Sequence, residues 1–262
     1  MKILKIESQS FHEINYKSSG PSGTIRNGSL PFFKATVDKL PTGISSIVVT
    51  SDLQGREING TNRLLGEVVA EELSLLQELE EIPLVNIVIL AGDLYDYPDC
   101  RKLGGTGDVT RVWNAFAHGF EQVVGVHGNH DTVIEEQLNK NINILDCTSE
   151  TFMDLKVGGI SGIIGRLDRN QRKSEQHFKN ELIKLIAKKN DITILHQGPD
   201  DPENGQKGEL MIRECLENKG AGLVVFGHCH WNKSLINIGN NQVLNVNNKL
   251  FLLEEVNSSN KE

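Results

Sequence analysis

Five short apolar segments, each ending in a polar cluster, constrain the fold of this chain more than any other feature of its 262 residues. Each has the length of a β-strand and is rich in Val, Ile and Leu without a polar alternation. That pattern is typical of a strand buried on both faces. The segments are 47–50, 84–91, 122–126, 192–195 and 223–226.

Amphipathic segments lie between these strands. Apolar residues at three- and four-residue spacing predict a helix over 62–80, and residues 109–120, 169–188 and 209–218 are also predicted to be helical. Strands that alternate with helices predict a layered α/β fold.

The two ends of the chain lack the alternation of predicted strands and helices found in the middle. Residues 1–43 are predicted to be an N-terminal extension with short strands packed on the main domain, and the Ser- and Gly-rich stretch 17–28 is predicted to be a loop. The main domain is predicted to span 44–256, closing in a β-meander over 234–238, 242–246 and 249–254, and residues 257–262 are a tail.

Charge and cysteine usage narrow the class of protein. The chain carries 35 acidic and 27 basic residues, a net charge of −8, which disfavours non-specific nucleic-acid binding because that affinity depends on clustered cations. The four cysteines show no CxxC spacing, and no signal peptide or membrane-length apolar stretch is recognised. We therefore expect a cytoplasmic protein with reduced thiols and no membrane partner.

Polar clusters follow all five predicted strands. Because ligand sites of α/β sheets gather at the carboxyl ends of strands, these clusters are expected to converge. Carboxylate, amide and imidazole donors without thiolate suit divalent Mn, Fe, Zn or Ni. Each cluster alone has an ordinary interpretation, such as a turn aspartate or a buried core histidine, but the joint pattern favours a metal site. The clusters are Asp52-x-Gln54, Asp93-x-x-Asp96, Asn129-His130-Asp131, His196 and His228-x-His230.

In this order, the five motifs resemble those of the calcineurin-like metallophosphoesterase family, over about residues 44–256. The resemblance implies a layered β-sandwich flanked by helices and a site for two divalent cations. It implies that Asp93 bridges the two cations and that the others divide between them. The first cation would be bound by Asp52, Gln54 and His230, and the second by Asn129, His196 and His228.

Position 54 departs from the family pattern, which has His where this chain has Gln54. An amide oxygen is a harder and weaker donor than imidazole, so we expect Mn, with Mg, Fe, Zn and Ni as the other candidates. The alternative is that Gln54 does not coordinate a metal.

The resemblance also implies catalytic roles. Phosphate mono- or diesters would be hydrolysed by a hydroxide that bridges the two cations. His130 would stand beside the phosphate without binding metal, Asp96 would orient it, and the Asn129 amide would help to stabilise charge. Arg166, in the locally basic segment 166–173, is predicted to contact substrate, and the alternative interpretation of that segment is a solvated helix start.

The expected partner is a phosphorylated small molecule, with a preference for a small phosphodiester or a nucleotide. Other functions stay open from the sequence. They are a phosphoprotein phosphatase, a nuclease, an enzyme with a single metal, and a catalytically inactive scaffold for protein interactions. The oligomeric state is also open.

Overall fold

A computed structural model describes residues 1–220 and 222–256, so the predicted tail 257–262 lies outside the described residues. Four helices are present in this part of the chain: α1 (Leu65–Glu78), α2 (Thr110–Gly119), α3 (Glu175–Ala187) and α4 (Leu210–Asn218). The strands of the first half are β1 (Ile3–Ile6), β2 (His12–Ser19), β3 (Ile25–Val37), β4 (Ser46–Ser51), β5 (Arg56–Glu57), β6 (Val85–Leu90), β7 (Gly107–Asp108), β8 (Gln122–Gly125) and β9 (Asp131–Thr132). Those of the second half are β10 (Ile142–Ile144), β11 (Thr148–Phe152), β12 (Leu155–Ile160), β13 (Ile163–Ile164), β14 (Arg172–Lys173), β15 (Ile192–Gln197), β16 (Leu223–Gly227), β17 (Leu235–Ile238), β18 (Asn241–Asn245) and β19 (Lys249–Glu255).

Two large sheets organise these strands. The first has the order β10-β8-β6-β4-β19-β3-β2-β5, with β1 paired to β3, and the second has the order β11-β12-β15-β16-β18-β17. Strands β4, β6, β8 and β10 run parallel, as do β12, β15, β16 and β18. Each sheet therefore presents several strand carboxyl ends along one edge.

The core shows that the two sheets pack face to face with helices outside them. Successive side chains of a strand point to opposite faces, so each central strand feeds two apolar clusters. In β4, Val49 packs between the sheets with Ile194 and Val225 of the second sheet. Its neighbour Val48 packs instead against α1 and α2, in the cluster that contains Leu73. Helices α3 and α4 cover the other side of the second sheet. The order of layers is helix, sheet, sheet, helix, which is the predicted sandwich flanked by helices.

The five predicted strands are all present as β4, β6, β8, β15 and β16, and the four predicted helices form. Helix α3 begins at Glu175 and not at 169, because residues 172–173 pair as β14 with β13 and Ser174 then caps the helix, its side chain accepting a hydrogen bond from the backbone N–H of His177.

Two predictions for the ends of the chain are wrong in detail. Residues 17–28 are mostly strand, because β2 and β3 form a long antiparallel hairpin around a short 3₁₀ turn at Pro21–Gly23. The last segment does not continue a meander: β17 and β18 form a hairpin in the second sheet, whereas β19 crosses to the first sheet and lies between β3 and β4. Residues 1–43 therefore belong to the main sheet through β1, β2 and β3.

No helix within the described residues is both long enough and apolar enough to cross a membrane. All four cysteines are free thiols.

Candidate metal centre

The predicted site residues lie where the central strands of the two sheets end. Asp52 directly follows β4, and Asp93 follows β6 after two residues. His196 is the second-last residue of β15, and His228 directly follows β16. The loop after β8 carries Asn129. The ends of β4 and β16 approach closely enough that a Cβ on Gly227 would collide with the side chains of Ser51 and Asp52. The sandwich thus brings residues from five distant segments to one place.

Three of the candidate ligands share an unusual backbone conformation. Asp52, Asp93 and His228 have φ values of 55°, 57° and 65°, in the left-handed region that residues with a Cβ rarely adopt. Such a residue costs on the order of 1–3 kcal/mol and persists only where the surrounding structure holds it, which is common at functional sites.

Asp93, His196 and His228 form the compact part of the site. One ligand atom from each lies within 4.8 Å of the other two. Nε2 of His196 is 3.2 Å from Oδ2 of Asp93 but outside hydrogen-bond geometry, so this buried nitrogen has no hydrogen-bond partner. Its other nitrogen, Nδ1, donates to the carbonyl oxygen of Ala91 at 2.7 Å. That bond leaves Nε2 as the free ligand atom, the arrangement usual for a metal-binding histidine.

The charges of the site show that it favours a cation. Burial alone lowers the pKa of His196, but the carboxylates of Asp93 and Asp52 outweigh it and raise the pKa to about 9. Burial likewise raises the pKa of Asp93, yet His196 and His130 bring it down to about 2. His228 responds in the opposite way: burial, then the positive charge of His196, lower its pKa to about 4. The negative field of the aspartates therefore holds positive charge at the centre.

Asn129 supplies a second unsatisfied ligand atom. Its side chain is buried, and its Oδ1 has no hydrogen-bond partner. A buried amide oxygen and a buried imidazole nitrogen without partners are costly unless something binds them. Together with the Asp93 carboxylate they form a mixed oxygen and nitrogen donor set that fits a divalent transition metal.

Asp131 holds two of the loops that carry these ligands. Its carboxylate is fully buried and accepts backbone N–H bonds from Asp93 (2.7 Å), Leu94 (2.7 Å) and Gly128 (2.9 Å). Burial and the charge of Asp93 raise the pKa of Asp131 to about 7 although the N–H donors act against this. Asp131 is itself the first residue of β9, and a 3₁₀ turn follows at Glu135–Gln137.

The residues predicted for the other cation are less tightly gathered. Asp52 accepts from the backbone N–H of His228 at 2.9 Å and from the Ser51 hydroxyl. Gln54 donates through Nε2 to Oδ2 of Asp93 at 3.0 Å, so its amide nitrogen, which cannot bind a cation, faces the centre. His230 is exposed and is outside the group formed by Asp93, His196 and His228. Coordination by Gln54 and His230 stays a prediction.

His130 and Asp96 lie in the site, but they are not hydrogen-bonded to each other. His130 is held through its backbone N–H, which donates to Oδ1 of Asp93 at 2.9 Å, and its buried Nδ1 has no partner. The Asp96 carboxylate accepts from the hydroxyl and the N–H (2.8 Å) of Ser19 and from the N–H of Tyr97 (2.7 Å). Asp96 is thus bonded to Ser19 of β2 and to Tyr97, and not to His130, among the described residues, so the orientation of His130 by Asp96 stays a prediction.

Arg166 lies at the surface and does not reach the centre as a free cation. Its side chain is 73% exposed, and its guanidinium donates two bonds to Asp168, of 3.1 and 2.7 Å. A different residue of the same segment, Asn170, contacts the site: its Nδ2 donates to the backbone oxygens of Asn129 (3.2 Å) and Asp131 (2.9 Å).

Sequence reasoning missed Ser19 and Asn170. Neither follows a central strand, and each meets the site only through pairing between distant segments. The local sequence around them reads as an ordinary turn, so no signal within it identifies them.

Comparison with known proteins agrees with this geometry. The helix-flanked sandwich carries carboxylate and imidazole groups at its strand ends, where they could bind a metal ion. The model of the family described as calcineurin-like phosphoesterase matches residues 45–232, and the chain belongs to that family. The match ends at 232, whereas β17, β18 and β19 complete the two sheets beyond it.

One solved structure supports the fold. One crystal structure is 12% identical, and the alignment covers 79% of this chain and 91% of that chain with a TM-score of 0.55. Another, of a protein of unknown function from Aquifex aeolicus, is 13% identical over 79% of this chain and 95% of that chain, with a TM-score of 0.33. No curated protein matches the sequence.

Proposed function

We propose that this protein hydrolyses a small phosphodiester or a nucleotide with the help of two divalent cations, of which Mn is the best fit. The family supports a metal-dependent phosphoesterase in general. The observation that carries the proposal is the group formed by Asp93, His196 and His228, beside which the Asn129 Oδ1 atom is buried and unpartnered. Bound cations would supply an activated water and a positive field for the phosphoryl oxygens.

The residues of the chain have separate tasks in this proposal. His196 presents Nε2 because Ala91 fixes its other nitrogen, and the Asp93 carboxylate is placed for bridging by its backbone bond to Asp131. His130 carries an unpartnered ring nitrogen into the site and is the group that contacts the phosphoryl oxygen or returns a proton to the leaving group. Gln54 restrains the Asp93 carboxylate, because its amide nitrogen donates a hydrogen bond to that group.

The space beside the centre supports a small substrate. A cleft of about 90 Å³ lies between the end of β2 and the glycine-containing loop that follows the second motif. Pockets that hold drug-sized ligands are about 300–1,000 Å³, so this cleft is small by comparison, which favours a small ester. Its lining residues are Ser18, Ser19, Gln54, Tyr95, Asp96, Leu103, Gly104 and Gly105. The net charge of −8 likewise disfavours a long polyanion.

The test pairs metal analysis with hydrolysis. Purified protein loaded with Mn, Mg, Ni or Zn is assayed by elemental analysis and with chromogenic phosphomonoesters and phosphodiesters, nucleotides and cyclic nucleotides. We expect two metals per chain and hydrolysis of small esters. His196→Ala should lower metal content and reduce kcat by at least about 100-fold. His177→Ala, at an exposed position of α3, is the control that should leave both unchanged.

The outcomes separate the alternatives. One metal per chain with full activity would indicate a mononuclear enzyme. Stoichiometric metal without hydrolysis of any ester, or no metal at all, would contradict the proposed function and favour a scaffold. A preference for phosphopeptides or polynucleotides over small esters would contradict the proposed substrate class.

A further inference from the structure

The segment 163–173 is fixed against the candidate centre at several points. Strand β13 pairs in parallel with β14, so that Ile163 lies opposite Arg172. Between them, Asn170 donates to the backbone oxygens of Asn129 and Asp131, as described above. The segment is thus attached to the loop that carries Asn129 and His130.

Further bonds hold the two strands of this segment. The N–H of Ile164 donates to Oε1 of Gln197 at 2.7 Å, next to the candidate ligand His196. Nζ of Lys173 donates to the backbone oxygen of Ser161 at 2.8 Å and pairs with Asp146. Arg172 precedes Lys173 in the same short strand, so its backbone has little freedom to move away from the centre.

The guanidinium of Arg172 has no partner. None of the hydrogen bonds or ion pairs among the described residues involves it, and its Nε atom is buried. A buried donor without a partner costs more than one that is exposed to water, the more so when it is charged.

We propose that Arg172, and not Arg166, is the arginine that binds the phosphoryl group of the substrate. A planar guanidinium binds phosphate oxygens through two parallel hydrogen bonds. The missing partner of Arg172 is then an oxygen of the phosphoryl group, while Arg166 remains engaged by Asp168 at the surface. The proposal rests on the proposed function, because it assumes that a phosphoryl group binds beside Asp93 and His228.

The test measures phosphate binding apart from turnover. Inorganic phosphate is titrated calorimetrically into the Mn-loaded protein, and kcat and KM are measured with the best small ester. Arg172→Gln should raise the Kd for phosphate by about 10- to 100-fold, the effect of losing a charge-assisted hydrogen bond, at unchanged metal content. Arg172→Lys should recover part of the affinity, because it restores the charge without the two-bond geometry. Arg169→Ala, an exposed arginine of the same segment, is the control.

Several results would overturn the proposal. Wild-type phosphate affinity and kinetics in Arg172→Gln would do so, and hydrolysis by the wild-type protein would then show that the proposed function still stands. A lower melting temperature or metal content in both Arg172 variants, with phosphate affinity per metal-loaded molecule unchanged, would assign Arg172 a structural role only. A loss of phosphate affinity in Arg166→Ala alone would favour Arg166. If the wild-type protein hydrolyses nothing, the proposed function fails, and the phosphate titration by itself decides the role of Arg172.

Discussion

Replacing Asp131 tests whether a single buried carboxylate holds the candidate centre together. Its two oxygens accept three backbone N–H bonds, from Asp93, Leu94 and Gly128, which belong to two loops more than 30 positions apart in the chain. The side chain is fully buried, so water does not reach these donors in the native state. Removing the carboxylate therefore leaves three backbone donors without acceptors.

The expected loss of stability follows from the count of donors. An unsatisfied buried donor costs about 1–3 kcal/mol, so Asp131→Ala should lower the free energy of unfolding by about 3–5 kcal/mol, allowing for partial relaxation. Asp131→Asn keeps one acceptor oxygen at the position that receives two of the bonds. It also removes the cost of burying a carboxyl whose pKa is raised to about 7 by burial and by Asp93. The free energy of unfolding of Asp131→Asn should therefore fall by only about 1–2 kcal/mol.

The assay is urea unfolding at neutral pH in the presence of a chelator, followed by a metal titration of each folded variant. Asp146→Asn is the matched control, because the Asp146 carboxylate accepts one backbone N–H, from Ser161, and pairs with Lys173 at a half-exposed position. Its effect should stay below about 1 kcal/mol. Asp131→Asn should also weaken metal affinity by about 10- to 100-fold, because the native Asp131 carboxylate positions the candidate ligand Asp93 without binding metal itself.

An unfolding free energy for Asp131→Ala within 1 kcal/mol of the wild-type value would refute the reasoning. So would wild-type metal affinity in Asp131→Asn, because the two loops would then keep their positions without the carboxylate.

Three further predictions concern other parts of the chain. Gly92→Ala should destabilise the protein by about 1–3 kcal/mol more than Gly43→Ala. Both glycines have φ of +89°, but only a Cβ on Gly92 collides with a backbone, that of Gly128. Equal losses of unfolding free energy in urea would contradict this prediction. Ser19→Ala removes a hydroxyl bond to a buried carboxylate but keeps the backbone bond, so unfolding should cost about 1 kcal/mol less, and an unchanged value would show that the hydroxyl contributes nothing. Burial and the adjacent aspartate raise the pKa of Cys147 to about 12, so the thiolate fraction at pH 8 is on the order of 10⁻⁴. Alkylation of Cys147 by iodoacetamide, followed by mass spectrometry, should accelerate with pH and be about 1,000-fold faster in urea. Equal rates for the native and the unfolded protein would refute the raised pKa.

The strands and helices of the central domain could be predicted because their signals are local. The apolar runs that became β4, β6 and β8 show no polar alternation, and they are covered on both faces, by the second sheet and by helices α1 and α2. The polar residues that follow them were recognisable for the same reason, because a buried parallel strand ends where its chain must turn.

Contacts of the N-terminal segment could not be predicted in this way. The turn-like composition of 17–28 concealed a hairpin, since the strand tendency of β2 and β3 depends on their pairing with each other and on β19, which lies more than 200 residues further along. The hydrogen bonds between Ser19 and Asp96 follow from that arrangement, and so the pairing of Asp96 with His130 expected from the family was not found.

Tertiary structure also determines which arginine of segment 163–173 lacks a protein partner within the part of the chain that the structure describes. By sequence, Arg166 and Arg172 are equivalent basic residues of one polar stretch, but the pairing of β13 with β14 buries Nε of Arg172 and leaves Arg166 to Asp168. The layered α/β class, the family and the chemical types of the candidate ligands could be predicted, because they depend on local periodicity and on the order of motifs. Convergence of those groups could not, because it depends on how the two sheets stack and on strained backbone at Asp52, Asp93 and His228. The same packing leaves His230 exposed.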